Sequence, residues 1–340
     1  MRTHYLAVAL VALAACSSDA RSGQPVVLRL GYFPNVTHAP AIVAVEQGLV
    51  ARALGPGVKL ETHAFNAGPE VVEAIFSNAL DISYVGPNPA INGYAQSRGA
   101  ALRIIAGATS GGAALVVRRG ITTAAGLRGA RLATPQLGNT QDVALRAWLV
   151  QQGLRATLEG NGDVAILPQP NAQTLETFRA GQIDGAWVPE PWATRLVLEG
   201  GGHVLVDERS LWPDGQFVTT HVVVRTAFLE EHPDLVAQFL EAHVWAVEFV
   251  NAEPARARRI VNAGIARITG KPLPPAVIEG AWSRLAFTLD PLPASLRKSA
   301  DDAVLVGLLK PVNLTGIYDL APLNAVLARQ GKPPIVLESP

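Results

Sequence analysis

The chain has 340 residues, with 28 basic and 28 acidic side chains, and 49% of its residues are hydrophobic. Balanced charge without a basic block removes the main electrostatic drive for binding nucleic acid, and one cysteine excludes an internal disulfide. More than 300 residues of folded body exceed what one hydrophobic core usually covers, so two lobes are expected.

Arg2 and His4 make a weakly basic start, Tyr5 to Ala12 are almost all apolar, and Leu13-Ala14-Ala15-Cys16 closes the segment. This run is shorter than the roughly 20 residues that cross a bilayer as a helix. It suits a secretory signal over residues 1–15. Small residues just before a cysteine are what a lipoprotein signal peptidase recognises, so Cys16 is the expected lipidation site. An ordinary signal peptide with a chance cysteine is the alternative. Each buried acyl methylene contributes about 0.8 kcal/mol, and two chains anchor stably. Residues 16–25, small and polar, read as a tether from the membrane to the folded body.

From Val26 short apolar runs alternate with helical ones. Val26 to Phe33 reads as a strand, the turn Pro34-Asn35-Val36-Thr37-His38 follows, and Ala39 to Gln47 reads as a helix stopped by Gly48. Val58 to Phe65 is a second strand, and Gly68-Pro69 opens a helix with proline where its missing N–H does no harm. Asp81 to Gly86, Arg103 to Ala108 and Ala113 to Arg118 are further strands, with a helix opening at Pro87-Asn88-Pro89. A second series starts near Arg131 and includes a helix from Gln141 to Gln152. Strands at Asp163 to Pro168 and Gly185 to Pro189 flank a helix from about Ala172 to Ala180, and strands at His203 to Glu208 and Phe217 to Val224 complete it. Such alternation implies βαβ units and largely parallel sheets. Beyond Phe228 the pattern turns helical, with Glu230 to Asn251 the clearest stretch. The expected architecture is two α/β lobes linked by strands at Ala113 to Arg118 and Val218 to Arg225, with the helical tail packed on the first lobe.

In open α/β sheets, ligands bind outside the carboxyl ends of the strands. Asn35 and Thr37, Asn88, and Asn139 and Thr140 all lie between a strand end and a helix start. Asn and Thr are ordinary N-caps, but a helix start also holds an anion without any cationic side chain. Ser110-Gly111-Gly112 would let a ligand approach backbone donors. None of these turns carries Lys or Arg, which suits a monoanion or a dipolar molecule. Trp192 could stack on a ligand or cap the groove, and Glu190 either hydrogen-bonds protein or meets a donor end of the ligand. Thr219-Thr220-His221 falls where hinge and cleft should coincide.

Catalytic signatures are missing: there is no HExxH, no GxSxG, no Walker-type loop and no paired cysteines. The histidines lack metal-ligand spacing. No catalytic residue, metal or cofactor is therefore expected. An enzyme on the same architecture, with His38 or His221 as base beside Glu190, is the competing reading.

Several segments resemble the nitrate/taurine/aliphatic-sulfonate substrate-binding proteins of bacterial ABC importers. They include GYFPNVTHAPAIVAVEQGLV, FNAGPEVVEAIFSNALDISYVGPNPAINGY, GATSGGAALVV, TPQLGNTQDVALRAWL, FRAGQIDGAWVPEPWATRL and FLEEHPDLVAQFLEAHVWAVEFVN. The resemblance implies a type II periplasmic-binding-protein-like α/β fold, its two lobes joined by two crossing strands and its C-terminal helices packed on lobe 1. Lobe 1 would comprise residues 26–112 and, with those helices, 221–340; lobe 2 would comprise 113–220. The implied protein is a monomer in the periplasm or at the cell surface, lipid-anchored through Cys16. It would pass a small-molecule solute to an ABC permease and its ATPase subunit. Position by position, the resemblance carries ligand contacts onto Asn35, Thr37, His38, Gly86, Asn88, Ser110, Gly111 and Gly112 of lobe 1. It also carries them onto Gln136, Asn139, Thr140, Glu190 and Trp192 of lobe 2, with His221 at the crossover. A sulfonate or taurine-like solute is implied first. Nitrate is an alternative, as is a thiamine pyrimidine precursor, because Pro34 to His38 is also similar to the PNxxH turn of that group.

Overall fold

A computed structural model describes residues 26–337, so the expected signal and Cys16 lie outside the described residues. The chain begins β1 (Val26–Tyr32), α1 (Ala39–Glu46), α2 (Leu49–Leu54), β2 (Val58–Ala64), α3 (Gly68–Phe76), β3 (Ile82–Val85), α4 (Pro87–Gln96), β4 (Leu102–Gly111) and β5 (Ala113–Val117). It continues with β6 (Arg131–Thr134), α5 (Thr140–Gln151), β7 (Ala165–Pro168), α6 (Asn171–Arg179), β8 (Gly185–Pro189), α7 (Trp192–Leu198), β9 (His203–Asp207) and β10 (Val218–Arg225). The remainder is α8 (Thr226–Glu231), α9 (Pro233–Ala252), α10 (Pro254–Thr269), α11 (Pro275–Trp282), β11 (Leu285–Phe287), α12 (Pro293–Leu305) and α13 (Ala321–Arg329).

The strands form two sheets, ordered β11-β4-β10-β3-β1-β2 and β7-β6-β8-β5-β9. Each sheet is mixed rather than largely parallel. β1 runs parallel to β2 and β3, and β6 parallel to β7 and β8. β10 is antiparallel to β3 and β4, and β5 to β8 and β9. The reason is the hinge: a strand that starts at the junction of the lobes runs opposite to the strands that end there.

Strand alternation sends successive side chains to opposite faces, and both sheets use it to build two cores. In the first lobe, Leu28, Leu30, Ile82, Tyr84, Val222 and Val224 pack against α1, α9 and α10. Val85, Ile104 and Val223 face α3, α4 and α12. In the second lobe, Leu115, Val117 and Trp187 meet α5, whereas Val116, Ala186 and Val188 meet α6 and α7. Asp81, fully buried at the start of β3, accepts from the Arg29 and Arg225 guanidiniums at 2.7 and 3.0 Å and so ties β1, β3 and β10 together.

Two features depart from expectation. The C-terminal helices pack on the first lobe as expected, but two of them reach further: α12 also contacts α5, and α11 contacts α7, both in the second lobe. A connector in the tail also forms β11, which pairs with β4 at the sheet edge. Three residues are too few to show a strand period. The crossings between sheets are equally specific. The first is the step from β4 to β5 through Gly111 and Gly112, whose φ values of 78° and 75° favour glycine. A Cβ on Gly112 would sit 2.1 Å from Leu285. The second is the segment from Glu208 to Phe217, so β10 lies wholly within the first sheet.

Candidate functional site

Strand ends of the two lobes face each other around a small cavity of about 30 Å³. Asn35, Thr37, His38 and Gly86 line it from the first lobe, and Asn139 and Thr140 from the second. Thr219 and Thr220, at the start of β10, complete one wall, and no lining side chain carries a formal charge at neutral pH. The turn after β1 is held from behind, because the Thr37 carbonyl accepts from Thr109 Oγ1 at 2.7 Å and from Thr220 Oγ1 at 3.2 Å.

The cavity presents neutral donors. His38 Nδ1 accepts from the Phe33 amide at 3.3 Å and its ring stacks on Phe33 at 4.3 Å. That bond puts the ring proton on Nε2, for which no protein acceptor occurs among the described residues. Burial pushes the His38 pKa down to about 3, so the imidazole is a neutral donor at pH 7. Thr140 Oγ1 is buried without a partner. Helix starts contribute unequally. At α5, Asn139 Oδ1 accepts from Asp142 N at 3.1 Å, an ordinary N-cap that leaves the Thr140 and Gln141 amides without helical partners. At α4, Pro87 and Pro89 have no N–H, so that helix start is poor in donors. The second lobe therefore supplies the stronger anion-binding end.

The lobes touch across this cavity. A Cβ on Gly86 would lie 2.4 Å from Thr140 Oγ1, and Trp192 Nε1 donates to Asn35 Oδ1 at 2.9 Å. Trp192 itself stands in the wall of a larger neighbouring chamber of about 380 Å³, which also has walls from both lobes and shares Asn35 with the smaller cavity.

The other expected contacts fall elsewhere. Ser110 and Gly111 line a different cavity, on the hinge side, with Ser110 Oγ accepting from the Phe217 amide at 3.3 Å. Gly112 lies against Leu285, and its carbonyl accepts from the Glu190 amide at 2.8 Å. These glycines serve backbone reversal and close packing at the crossing, which is why the turn is not exposed to the cavity. The Asn88 amide donates to the Ser299 carbonyl at 2.9 Å and secures α12 on α4. Gln136 stands outside the cavity lining. His221 Nε2 bonds the Pro291 carbonyl at 2.7 Å, so its side chain serves the C-terminal segment.

Glu190 takes the first of its two expected roles. Its carboxylate accepts from Thr194 N at 3.0 Å and Thr194 Oγ1 at 2.9 Å, and Arg284 Nη1 lies 3.3 Å away. A fully buried carboxylate needs such donors; burial still pushes its pKa up. Residues the sequence did not single out for the site are Phe33, Gly68, Pro89, Gln141 and Pro189. Gly68 carried a signal only as a helix start. Its packing role is visible in space, since a Cβ there would meet Pro89 at 2.2 Å.

The profile of the NMT1-like family matches residues 21–266. The taurine-binding periplasmic protein of Escherichia coli (strain K12) is 28% identical over 243 residues, covering 71% of this chain and 72% of that protein. Among solved structures, the alkanesulfonate-binding protein SsuA from Xanthomonas axonopodis pv. citri, bound to MOPS, superposes with a TM-score of 0.69. It is 24% identical and covers 88% of this chain and 98% of its own. The periplasmic nitrate-binding protein NrtA from Synechocystis PCC 6803 gives a TM-score of 0.71 at 15% identity, covering 89% of this chain and 88% of its own. Both structures share the fold.

Proposed function

The chain belongs to the NMT1-like family, and from that premise we propose that it captures a small organic anion between its lobes and delivers it to an ABC permease. The favoured solute is an aliphatic sulfonate or taurine-like monoanion. The observation that carries this reading is the uncharged cavity between the lobes, with donors facing it from both sides. Neutral donors in a dehydrated site hold one negative charge well, because their dipoles are set before the ligand arrives. Its relation to a taurine-binding protein over 71% of the chain supports the same solute class. In this reading Cys16 is lipidated, residues 16–25 tether the lobes to the membrane, and the protein acts as a monomer outside the cytoplasmic membrane. It performs no chemistry: His38 is a donor rather than a base, and Glu190 is occupied by Thr194 and Arg284.

Nitrate is the second reading, favoured by the 30 Å³ volume of the inner cavity, which admits an ion more readily than an organic molecule. A thermal-shift panel of alkanesulfonates, taurine, nitrate and aminopyrimidines tests both. A solute present at 100 times its Kd should add about 2.7 kcal/mol of stability. Stabilisation by sulfonates supports the first reading and stabilisation by nitrate alone the second. A flat response to every anion overturns both.

A further inference from the structure

The start of α5 forms part of the inner cavity wall through Asn139, Thr140 and Gln141, and Thr140 Oγ1 is buried there without a partner. Two charged residues stand behind this wall. Asp142, the third residue of α5, is fully buried, and Arg146, one turn further on, is 3% exposed. Neither lines the cavity, and their side chains pair at 3.0 Å.

The Asp142 carboxylate clamps the turn between β6 and α5. Its Oδ1 accepts from Thr134 Oγ1, at the end of β6, at 2.9 Å. Its Oδ2 accepts from the Gly138 amide at 2.9 Å and from Arg146 Nε at 3.0 Å. Gly138 has a φ of 74° and immediately precedes Asn139, so this bond fixes the path by which the turn enters the helix. Arg146 is anchored in its turn, because its Nη1 donates to the Thr157 carbonyl at 3.3 Å.

Such a clamp works against an anion site. A carboxylate in the first turn offsets the partial positive charge of the helix start, and a unit charge so close acts strongly in a dehydrated interior. Nor does a buried ion pair usually add stability over apolar residues of equal volume. We propose that Asp142 and Arg146 form a positioning pair for the solute. Asp142 sets the geometry of the Gly138-Asn139-Thr140 turn, and Arg146 cancels the Asp142 charge, so that the amides of α5 remain free to hold an anion. The pair touches no solute, and its role rests on the anion-capture reading. It accounts for a buried arginine behind a cavity whose own lining is uncharged. The spacing of four residues puts acid and base on one helix face, where they meet.

Calorimetric titration of the full-length chain with methanesulfonate, taurine and nitrate tests the pair through four variants. Arg146→Met keeps the clamp but bares its charge, and should weaken the anions that bind by about tenfold or more. Asp142→Asn keeps an acceptor for Gly138 and leaves the cation alone, and should bind at least as tightly as the parent. Asp142→Asn with Arg146→Met removes both charges and should stay within about threefold of the parent. Asp142→Ala with Arg146→Met has the same charge without the clamp, and should bind about tenfold more weakly than that neutral form. Both single variants leave a buried charge unpaired and should melt lower, so a purely structural pair would weaken binding in both. A positioning pair makes the two part in affinity. Should Arg146→Met not fold, Asp142→Asn is compared with the neutral double variant and should bind about tenfold more tightly. Equal affinities in that comparison, or an unchanged affinity in Arg146→Met, refute the pair's role while anion capture stands. If the parent binds none of the three solutes, both proposals fall.

Discussion

Trp192 Nε1, in the second lobe, donates to Asn35 Oδ1, in the first, across 2.9 Å. This bond links the helix start of α7 to the turn after β1, and it stands between the small polar cavity and the larger chamber. Because each lobe has cores of its own, the bond bears on closure rather than on folding. Trp192→Phe should therefore weaken solute binding by about two- to tenfold, the equivalent of one neutral hydrogen bond. The change should appear mainly as faster release in stopped-flow measurements. An unchanged dissociation rate would remove this bond from the closing mechanism.

Gly86 provides a steric test of the same closure. Its φ and ψ of −70° and 161° suit any L residue, so alanine adds no backbone strain. The added Cβ would instead meet Thr140 Oγ1 at 2.4 Å across the cleft. Gly86→Ala is expected to lower affinity by about five- to 150-fold, since overpacking costs roughly 1–3 kcal/mol, while thermal stability without solute changes little. In a Thr140→Ala background the penalty should shrink. Strict additivity of the two substitutions in a double-mutant cycle would show that the lobes do not meet at this point.

The buried titratable groups set opposing pH dependences. Burial lowers His38 to about 3 and both His221 and His243 to about 4, from 6.5. The folded state then binds fewer protons than the unfolded state, so this stability is present above about pH 6.5 and is lost as pH falls toward 4. Glu208 acts the other way: burial raises it from 4.5 to about 7. Trp187 Nε1 donates to it at 2.7 Å, and Lys298 and Asp302 of α12 lie around the same small cavity. Its contribution is full below about pH 4.5 and declines as pH rises through 7. Glu208→Gln should leave stability near pH 4.5 unchanged and raise it by at most about 3 kcal/mol near pH 8. Denaturant titrations at the two pH values check this; a constant difference between variant and parent contradicts it.

Asp81 binds three strands at the end of the first sheet remote from the cleft. Burial pushes its pKa up, but hydrogen bonds from Arg29 and Arg225 hold it below the usual carboxylate range. Asp81→Asn leaves both guanidiniums without their anion and should cost about 3 kcal/mol. Denaturant unfolding measures the loss, and solute affinity of the remaining folded protein should be unaffected. A loss below 1 kcal/mol would mean that water replaces the pair.

Local chemistry determined much of this protein in advance. Apolar runs with period two, glycine stops and proline-opened helices show in the sequence because each is a short-range property of neighbouring residues. From them follow two α/β lobes, a helical tail and polar turns at strand ends. Asn35, Thr37 and Thr140 were legible as residues between a strand and a helix for the same reason. The tertiary structure decided which of these turns share a cavity. Asn88 and His221 have the right residue types at the right local positions, yet sheet order and the tail place Ser299 and Pro291 against them. Gly111 and Gly112 read as a ligand turn in the sequence, and only the fold, which lays Arg284 and Leu285 against them, makes them the crossing between sheets. Partners 70 and 211 residues away in the chain leave no trace in a local pattern, because packing between lobes depends on the whole fold.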